Sequence, residues 1–281
     1  MLKQRVITAL VLLAILLPAL FYPDPGPFCA VALVLIAAGA WEWGRLNGCG
    51  QAASVGMALL CVALCVGAWL AGWLGQPLPL LWSLAGTAWV LGGALLLRRG
   101  VAGWAGIPAS VRLVGGLLAL WLAWLAVAQA RVVGINFLLS ALVLVWAADI
   151  AAYFAGRAFG KRKLAPGISP GKSWEGVWGG MLGVLLLAVA WVAGDVYTMA
   201  PVMSLYSQLL LAQWWLLPLA ALFLAAMSVV GDLVESLIKR SAGVKDSSGL
   251  LPGHGGVLDR VDALLPTLPL VMMLHTLLLP A

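Results

Sequence analysis

Charge is scarce in this chain: Asp, Glu, Lys and Arg make up 9% of its 281 residues, while 64% are hydrophobic and the mean hydropathy is +1.07. A soluble domain carries roughly a quarter of its residues as charges, so that class is excluded. Long polar tracts are missing too, and with them any soluble domain, flexible linker, low-complexity segment or internal repeat. Only four cysteines occur, Cys29, Cys49, Cys61 and Cys65. They sit in or beside apolar runs with no histidine nearby. Since a zinc site wants about four ligands, packing is the reading for all four, the i, i+4 pair Cys61 and Cys65 included. Of the two histidines, His275 reads as an interfacial residue without a role.

Long apolar runs are abundant. In lipid only helices or closed barrels satisfy the backbone, and these runs are continuous, unlike the alternating strands of about ten residues that build barrels. The fold class is therefore all-α, a polytopic membrane helix bundle. A spanning helix needs about 20 apolar residues, and nine runs qualify, at 6–22, 28–43, 53–74, 78–97, 113–129, 135–159, 174–194, 213–235 and 261–279. Breaker clusters such as Pro23 to Pro27 and Gly75-Gln76-Pro77 mark turns at a membrane face.

Lysine and arginine collect in cytoplasmic loops, and here alternate loops carry them; of 16 basic residues only Arg131 falls on the other side. The expected topology has the N-terminus cytoplasmic and the C-terminus outside. Residues 6–22 are read as a retained helix, because no small-x-small cleavage site follows them. The net charge of +6 is then orientation bias plus anion handling, with no nucleic-acid partner expected. Residues 1–133, about five helices, are nearly motif-free and read as scaffold. Residues 134–281 carry almost every informative polar group and read as the catalytic region, with polar connectors at 157–174 and 236–261.

The first connector ends in PGISPGKS, which looks like a phosphate-binding P-loop but has Pro166 where that motif needs glycine, and no strand-helix sheet context. The local physics survives. Ser169 to Ser173 precede a helix, so free backbone N–H groups and Lys172 suit a phosphate. Ser173 would cap that helix, with Glu175 in its first turn; capping plus a membrane-face anchor is the competing reading. Upstream, Asp149 lies deep in an apolar run, where a carboxylate needs a partner, metal or wet cavity. Tyr153 and Arg157 share its helical face.

Asp232 and Glu235 lie near the end of the eighth helix, with Ser236, Lys239 and Arg240 on nearly the same stripe as Asp232 and Glu235 at i, i+4 to Lys239. Asp259 and Asp262 follow at i, i+3 as the ninth helix begins, so their side chains can point together. Oxygens from Asp232, Asp259 and Asp262 suit a hard cation such as magnesium, and the neighbouring cations suit a polyphosphate. The alternative is that Asp259 and Asp262 only complement a helix N-terminus. His254 stands alone among Gly253, Gly255 and Gly256, which allow close backbone approach to a ligand.

The segment Ser236-x-Ile238-Lys239-Arg240, four residues, Lys245-Asp246-x-Ser248-x-x-Leu251-Pro252-x-His254-Gly255-Gly256-Val257-x-Asp259-Arg260-Val261-Asp262 resembles the fingerprint of the phosphatidate cytidylyltransferase family, also called CDP-diacylglycerol synthases. Asp149 to Lys161 and Ser169 to Gly176 resemble that family's other polar motifs. The resemblance covers about the last 130 residues. It implies transfer of cytidylyl from CTP to phosphatidate with magnesium, with room for two cations, in a bacterial inner membrane with the site facing the cytoplasm. It also implies roles. Asp232, Asp259 and Asp262 would hold metal, with Asp246 a weaker ligand. Lys239, Arg240 and Arg260 would hold phosphates beside Ser236, Lys245 and His254, with the loop through Gly255 and Gly256 closing over the nucleotide. Lys172, Ser169 and Ser173 would grip phosphate from the first connector, and Asp149, Tyr153 and Arg157 would line a cavity open to lipid. A CTP-dependent polyprenol or phytol kinase is the nearest rival reading, and a transporter a more distant one, although paired interrupted helices are not seen. The pair Gly179 and Gly183 allows close packing within one chain or in a homodimer.

Overall fold

A computed structural model describes residues 2–278. It is 79% helical, and among the described residues nine helices are long and apolar enough to span a membrane. The chain is an integral membrane protein. In order the helices are α1 (Leu2–Phe21), α2 (Gly26–Leu46), α3 (Gln51–Leu70), α4 (Pro79–Ala105), α5 (Ala109–Val133), α6 (Ile135–Phe159), α7 (Trp174–Thr198), α8 (Leu205–Ala212), α9 (Leu216–Ser241), α10 (Leu258–Val261) and α11 (Leu264–Leu278). A short hairpin, β1 (Lys163–Ala165) with β2 (Ser169–Ser173), joins α6 to α7.

Each apolar run became a spanning helix, because helix is the one local conformation that pairs every backbone group without a partner strand. Some ends moved outward and others inward, α3 stopping at Leu70 and α9 starting at Leu216. Helix α9 continues to Ser241 and carries Ser236, Lys239 and Arg240. The last span is broken into α10 and α11; Leu279, the expected end of that span, lies outside the described residues. Helix α4 runs past its expected end but turns sharply at Gly100, whose φ of 68° and ψ of −171° no helix contains. Helix α8 was not expected. It is too short to span and buries Leu205, Tyr206 and Leu209 against the bundle.

Helices α6 and α7 pack most closely, through glycine. Added Cβ atoms on Gly179 and Gly183 would run into the Ala155 and Ala151 methyls, and one on Gly180 would meet the Ala148 carbonyl. The Gly179 and Gly183 pair is therefore filled within the chain, and the homodimer expectation loses that support. The cysteines are free, with Cys29, Cys61 and Cys65 buried. At the end of the bundle away from the connectors, Asp195 accepts hydrogen bonds from Ser204, Ser207 and Asn136, locking α7, α8 and α6 together. Arg131 also lies there, donating to the Leu20 and Tyr22 carbonyls at the end of α1.

The α6–α7 seam gives a test. Gly179→Val forces the two backbones apart, and overpacking of this kind costs about 1–3 kcal/mol. A lower thermal midpoint in detergent is expected, whereas Gly194→Ala, a position with open space around it, is expected to leave the midpoint unchanged.

Candidate active site

Both polar connectors lie at one end of the bundle and touch. Lys172, on β2, reaches across so that its Nζ lies 2.6 Å from Asp232 Oδ2 on α9. Ser236, one turn along α9, donates to the other oxygen of Asp232 at 3.3 Å. Asp149 lies within electrostatic reach of Asp232 and Lys172, and Asp262 within reach of Asp232, Lys172 and Lys239. The ammonium thus pairs with Asp232, and two further acids lie within its electrostatic reach. The three acids come from α6, α9 and the junction of α10 with α11.

Asp259 does something else. Its Oδ1 accepts from Lys239 Nζ at 2.6 Å, and its Oδ2 accepts from the Gly256 N–H, the Ser247 N–H and the Ser247 hydroxyl at 2.7, 2.9 and 2.8 Å. Lys239 Nζ also lies 2.5 Å from Glu235. Loop donors thus engage Asp259, and Asp262 lies within electrostatic reach of the same Lys239. Lys239, expected at a phosphate, is neutralised by two carboxylates instead.

The loop between α9 and α10 folds on itself. The Leu251 N–H donates to the Gly255 carbonyl at 2.9 Å, and the His254 N–H donates to the Leu251 carbonyl at 2.8 Å. Gly255 takes a φ of 83°, where a side chain would also meet Asp259. Arg260 donates from Nε and Nη2 to the His254 carbonyl. Arg240, Lys245 and Asp246 are exposed around this loop, and His254 is half-buried.

The sequence reading missed Glu42. This carboxylate on α2 is fully buried and accepts from the Val257 and Leu258 N–H groups at 2.9 and 2.8 Å and from the Ser248 and Ser247 hydroxyls at 2.5 and 3.2 Å. It caps the first turn of α10 from a distant helix. A Cβ on Gly256 would collide with Glu42 and Ser247, so glycine is required there. The signal was available: Glu42 is an acid inside an apolar run between Trp41 and Trp43, the same pattern that singled out Asp149. Residues 1–133 thus hold the loop from α2, and α1 also reaches it, Thr8 donating to the Pro252 carbonyl at 3.0 Å.

In the first connector, Ser169 to Ser173 form a strand rather than free N–H groups, because Lys163–Ala165 pairs with them. Ser173 caps α7, accepting from the Gly176 N–H at 3.2 Å. Glu175 accepts from the Lys161 and Arg162 N–H groups at 3.0 and 3.2 Å and closes the hairpin base. Ser169 lies at the hairpin turn, leaving Lys172 as the residue of this set that reaches the acids. Tyr153 and Arg157 share the exposed face of α6 with Asp149, and Arg157 donates to the Tyr153 hydroxyl at 3.4 Å.

Among the described residues no three His, Cys, Asp or Glu side chains form a metal-ligand set on their own. Asp232 and Asp262 nevertheless fit a hard divalent cation. Magnesium takes one or two carboxylates plus waters and substrate phosphates, and the Lys172 ammonium already stands as a cation against Asp232. Asp259 does not fit, since four donors occupy its oxygens.

The site is thus a set of carboxylates and cations at one end of a membrane-embedded helix bundle. Residues 3–278 match the Cytidylyltransferase family, and the chain belongs to that family. A phosphatidate cytidylyltransferase of Pseudomonas aeruginosa is 43% identical over 278 residues, covering 96% of this chain and 95% of the relative. One of Haemophilus influenzae is 37% identical over 293 residues, with 96% of each chain covered. One of Bacillus subtilis is 43% identical over 141 residues, about half of each chain. Similarity therefore extends well beyond the last 130 residues.

Glu42 supplies the test of this geometry. Glu42→Ala leaves the Val257 and Leu258 N–H groups and the Ser248 hydroxyl unpaired, each costing about 1–3 kcal/mol when buried, while the Ser247 hydroxyl keeps Asp259. Rapid proteolysis within residues 244–257 is expected, with helix content unchanged by circular dichroism.

Proposed function

We propose that this protein transfers the cytidylyl group of CTP to phosphatidate, releasing pyrophosphate and CDP-diacylglycerol at the cytoplasmic face of a bacterial inner membrane. The observation that carries this reading is the meeting of Lys172 with Asp232 and Asp262, between a loop rich in cations and a face of α6 open to the bilayer. The two full-length relatives support the substrate pair.

A phosphate oxygen of phosphatidate attacks the α-phosphorus of CTP, the bond from that phosphorus to the bridging β-oxygen breaks, and pyrophosphate leaves. Phosphatidate is ionised at neutral pH, so no general base is required. The difficulty is repulsion between two polyanions, which positioning and positive charge relieve. Asp232 and Asp262 would hold magnesium, with Asp149 the carboxylate for a second cation; the metal supplies charge neutralisation on the transferring and leaving phosphates. Lys172 moves from Asp232 to phosphate when substrate arrives. Arg240 and Lys245, both exposed, and the remaining guanidinium edge of Arg260 hold the nucleotide phosphates. Ser236 holds Asp232 in orientation. Lys239 and Asp259 act through the loop, positioning Gly255, Gly256 and His254 rather than touching phosphate. Tyr153 and Arg157 guide the lipid headgroup along α6. A second copy, where two chains pair, uses a face other than the glycine stripe of α7.

Purified protein given phosphatidate, magnesium and CTP labelled at the α- or γ-phosphate is expected to put the α-label in the lipid and the γ-label in pyrophosphate. CDP release with γ-label in lipid would mean kinase chemistry instead. Asp232→Asn and Asp262→Asn are each expected to lower kcat by about 100-fold or more, the scale of losing a group that stabilises transition-state charge. Wild-type turnover in both variants would overturn the metal assignment.

A further inference from the structure

Helix α1 is the least buried of the spanning helices. Its half-buried and buried positions fall on one stripe, Thr8, Leu12, Leu16 and Leu20 at i, i+4 with Ala9 and Ala19 beside them, and its other residues from Lys3 to Phe21 are exposed. A helix with so little packing depends on how its ends are held. At the end away from the connectors, Arg131 on α5 donates to the Leu20 and Tyr22 carbonyls. A helix C-terminus leaves such carbonyls without intrahelical partners and favours a cation beside them. This contact, together with buried Ala19 and Leu20, sets the depth of α1 in the bundle.

The connector end of α1 has no fully buried residue, and it meets the loop between α9 and α10. Among the described residues, the one side-chain hydrogen bond made by α1 is there: Thr8 Oγ1 donates to the Pro252 carbonyl at 3.0 Å. Thr8 stands about 18 Å along the helix axis from Leu20, at 1.5 Å per residue. Next to Pro252, Gly253 takes a φ of 78°, and a Cβ on it would lie 2.8 Å from Arg5 Cγ and 3.6 Å from Arg5 Cα. Glycine therefore lets the loop backbone rest directly on the helix.

The tip so held also carries Arg260. The Leu251 N–H donates to the Gly255 carbonyl and the His254 N–H to the Leu251 carbonyl, which makes residues 251–255 one tight turn. On that turn the His254 carbonyl accepts from Arg260 Nε at 3.0 Å and also from Nη2. A line of contacts thus runs from Thr8 through Pro252 and His254 to the Arg260 guanidinium. Glu42 holds the loop at Ser248, Val257 and Leu258, on either side of this turn. The tip at Pro252 and Gly253 takes its outside support from α1.

We propose that Thr8 is a positioning residue for nucleotide binding: α1, fixed in depth by Arg131, clamps the Pro252-Gly253 tip, and the clamped turn aims Arg260 at the nucleotide phosphates. The inference rests on the proposed cytidylyl transfer and on Arg260 as a phosphate holder, and it adds the first helix to the nucleotide side of the site. The lipid side, assigned to Tyr153 and Arg157 on α6, is independent of α1.

Two measurements on the full-length protein test this. In initial-rate kinetics with CTP, phosphatidate and magnesium, Thr8→Val, which keeps the side-chain shape and removes the donor, is expected to raise KM for CTP by about two- to tenfold, the scale of one hydrogen bond. KM for phosphatidate and kcat are expected to stay at wild-type values, and Thr8→Ser, which keeps the hydroxyl, is expected to keep the wild-type KM for CTP. In hydrogen exchange without substrate, the Leu251 and His254 amides are expected to exchange faster by a similar factor in Thr8→Val and at the wild-type rate in Thr8→Ser. Wild-type exchange in Thr8→Val would overturn the clamp. Faster exchange with an unchanged KM for CTP, or an equal rise in both KM values, would overturn the positioning role. A wild-type protein that consumes no CTP would sink the reading on which the inference rests, while the exchange comparison would still decide whether α1 holds the loop.

Discussion

A single buried carboxylate, Glu42, ties the glycine-rich loop between α9 and α10 to the bundle. A fully buried carboxylate is costly unless its oxygens are filled, and here the Val257 and Leu258 N–H groups and two serine hydroxyls fill them. The cap fixes the first turn of α10, and Ser247, shared between Glu42 and Asp259, passes that constraint onward. Asp259 then holds Lys239, and Lys239 holds Glu235. The result is one continuous polar chain from α2 to α9. A loop rich in glycine acquires a fixed shape from it, without any secondary structure longer than one turn.

This chain divides the acids into two groups. Glu42, Glu235 and Asp259 are engaged with protein donors and build the loop. Asp232 meets Lys172, and Asp262 and Asp149 lie within electrostatic reach of that pair. Mutually repelling carboxylates are expensive to assemble, and the Lys172 ammonium offsets part of that repulsion.

The membrane fold was legible because hydropathy acts locally: a run of about 20 apolar residues has one conformation open to it in lipid. Helix α6 was read to the residue. The residues of the site were legible as a set, since polar groups stand out in a hydrophobic chain. Their partnerships were not. Spacing put Asp259 and Asp262 on one face, but it carried no sign that Ser247 and Gly256, donors from a folded loop, engage Asp259. The hairpin of β1 and β2 was hidden because strand pairing depends on a partner rather than on periodicity. Glu42 went unnoticed because its meaning comes from residues more than 200 positions away.

The central claim is that the two polar connectors form one site through Lys172 and Asp232. A double-mutant cycle measures it most directly, with Lys172→Met, Asp232→Asn and the pair compared by single-turnover transfer of label from CTP into lipid. Strong non-additivity is expected, the double variant being no slower than the worse single variant, as for groups that act as a unit. If the two losses instead multiply in full, the residues act independently and the account of a joined site is contradicted.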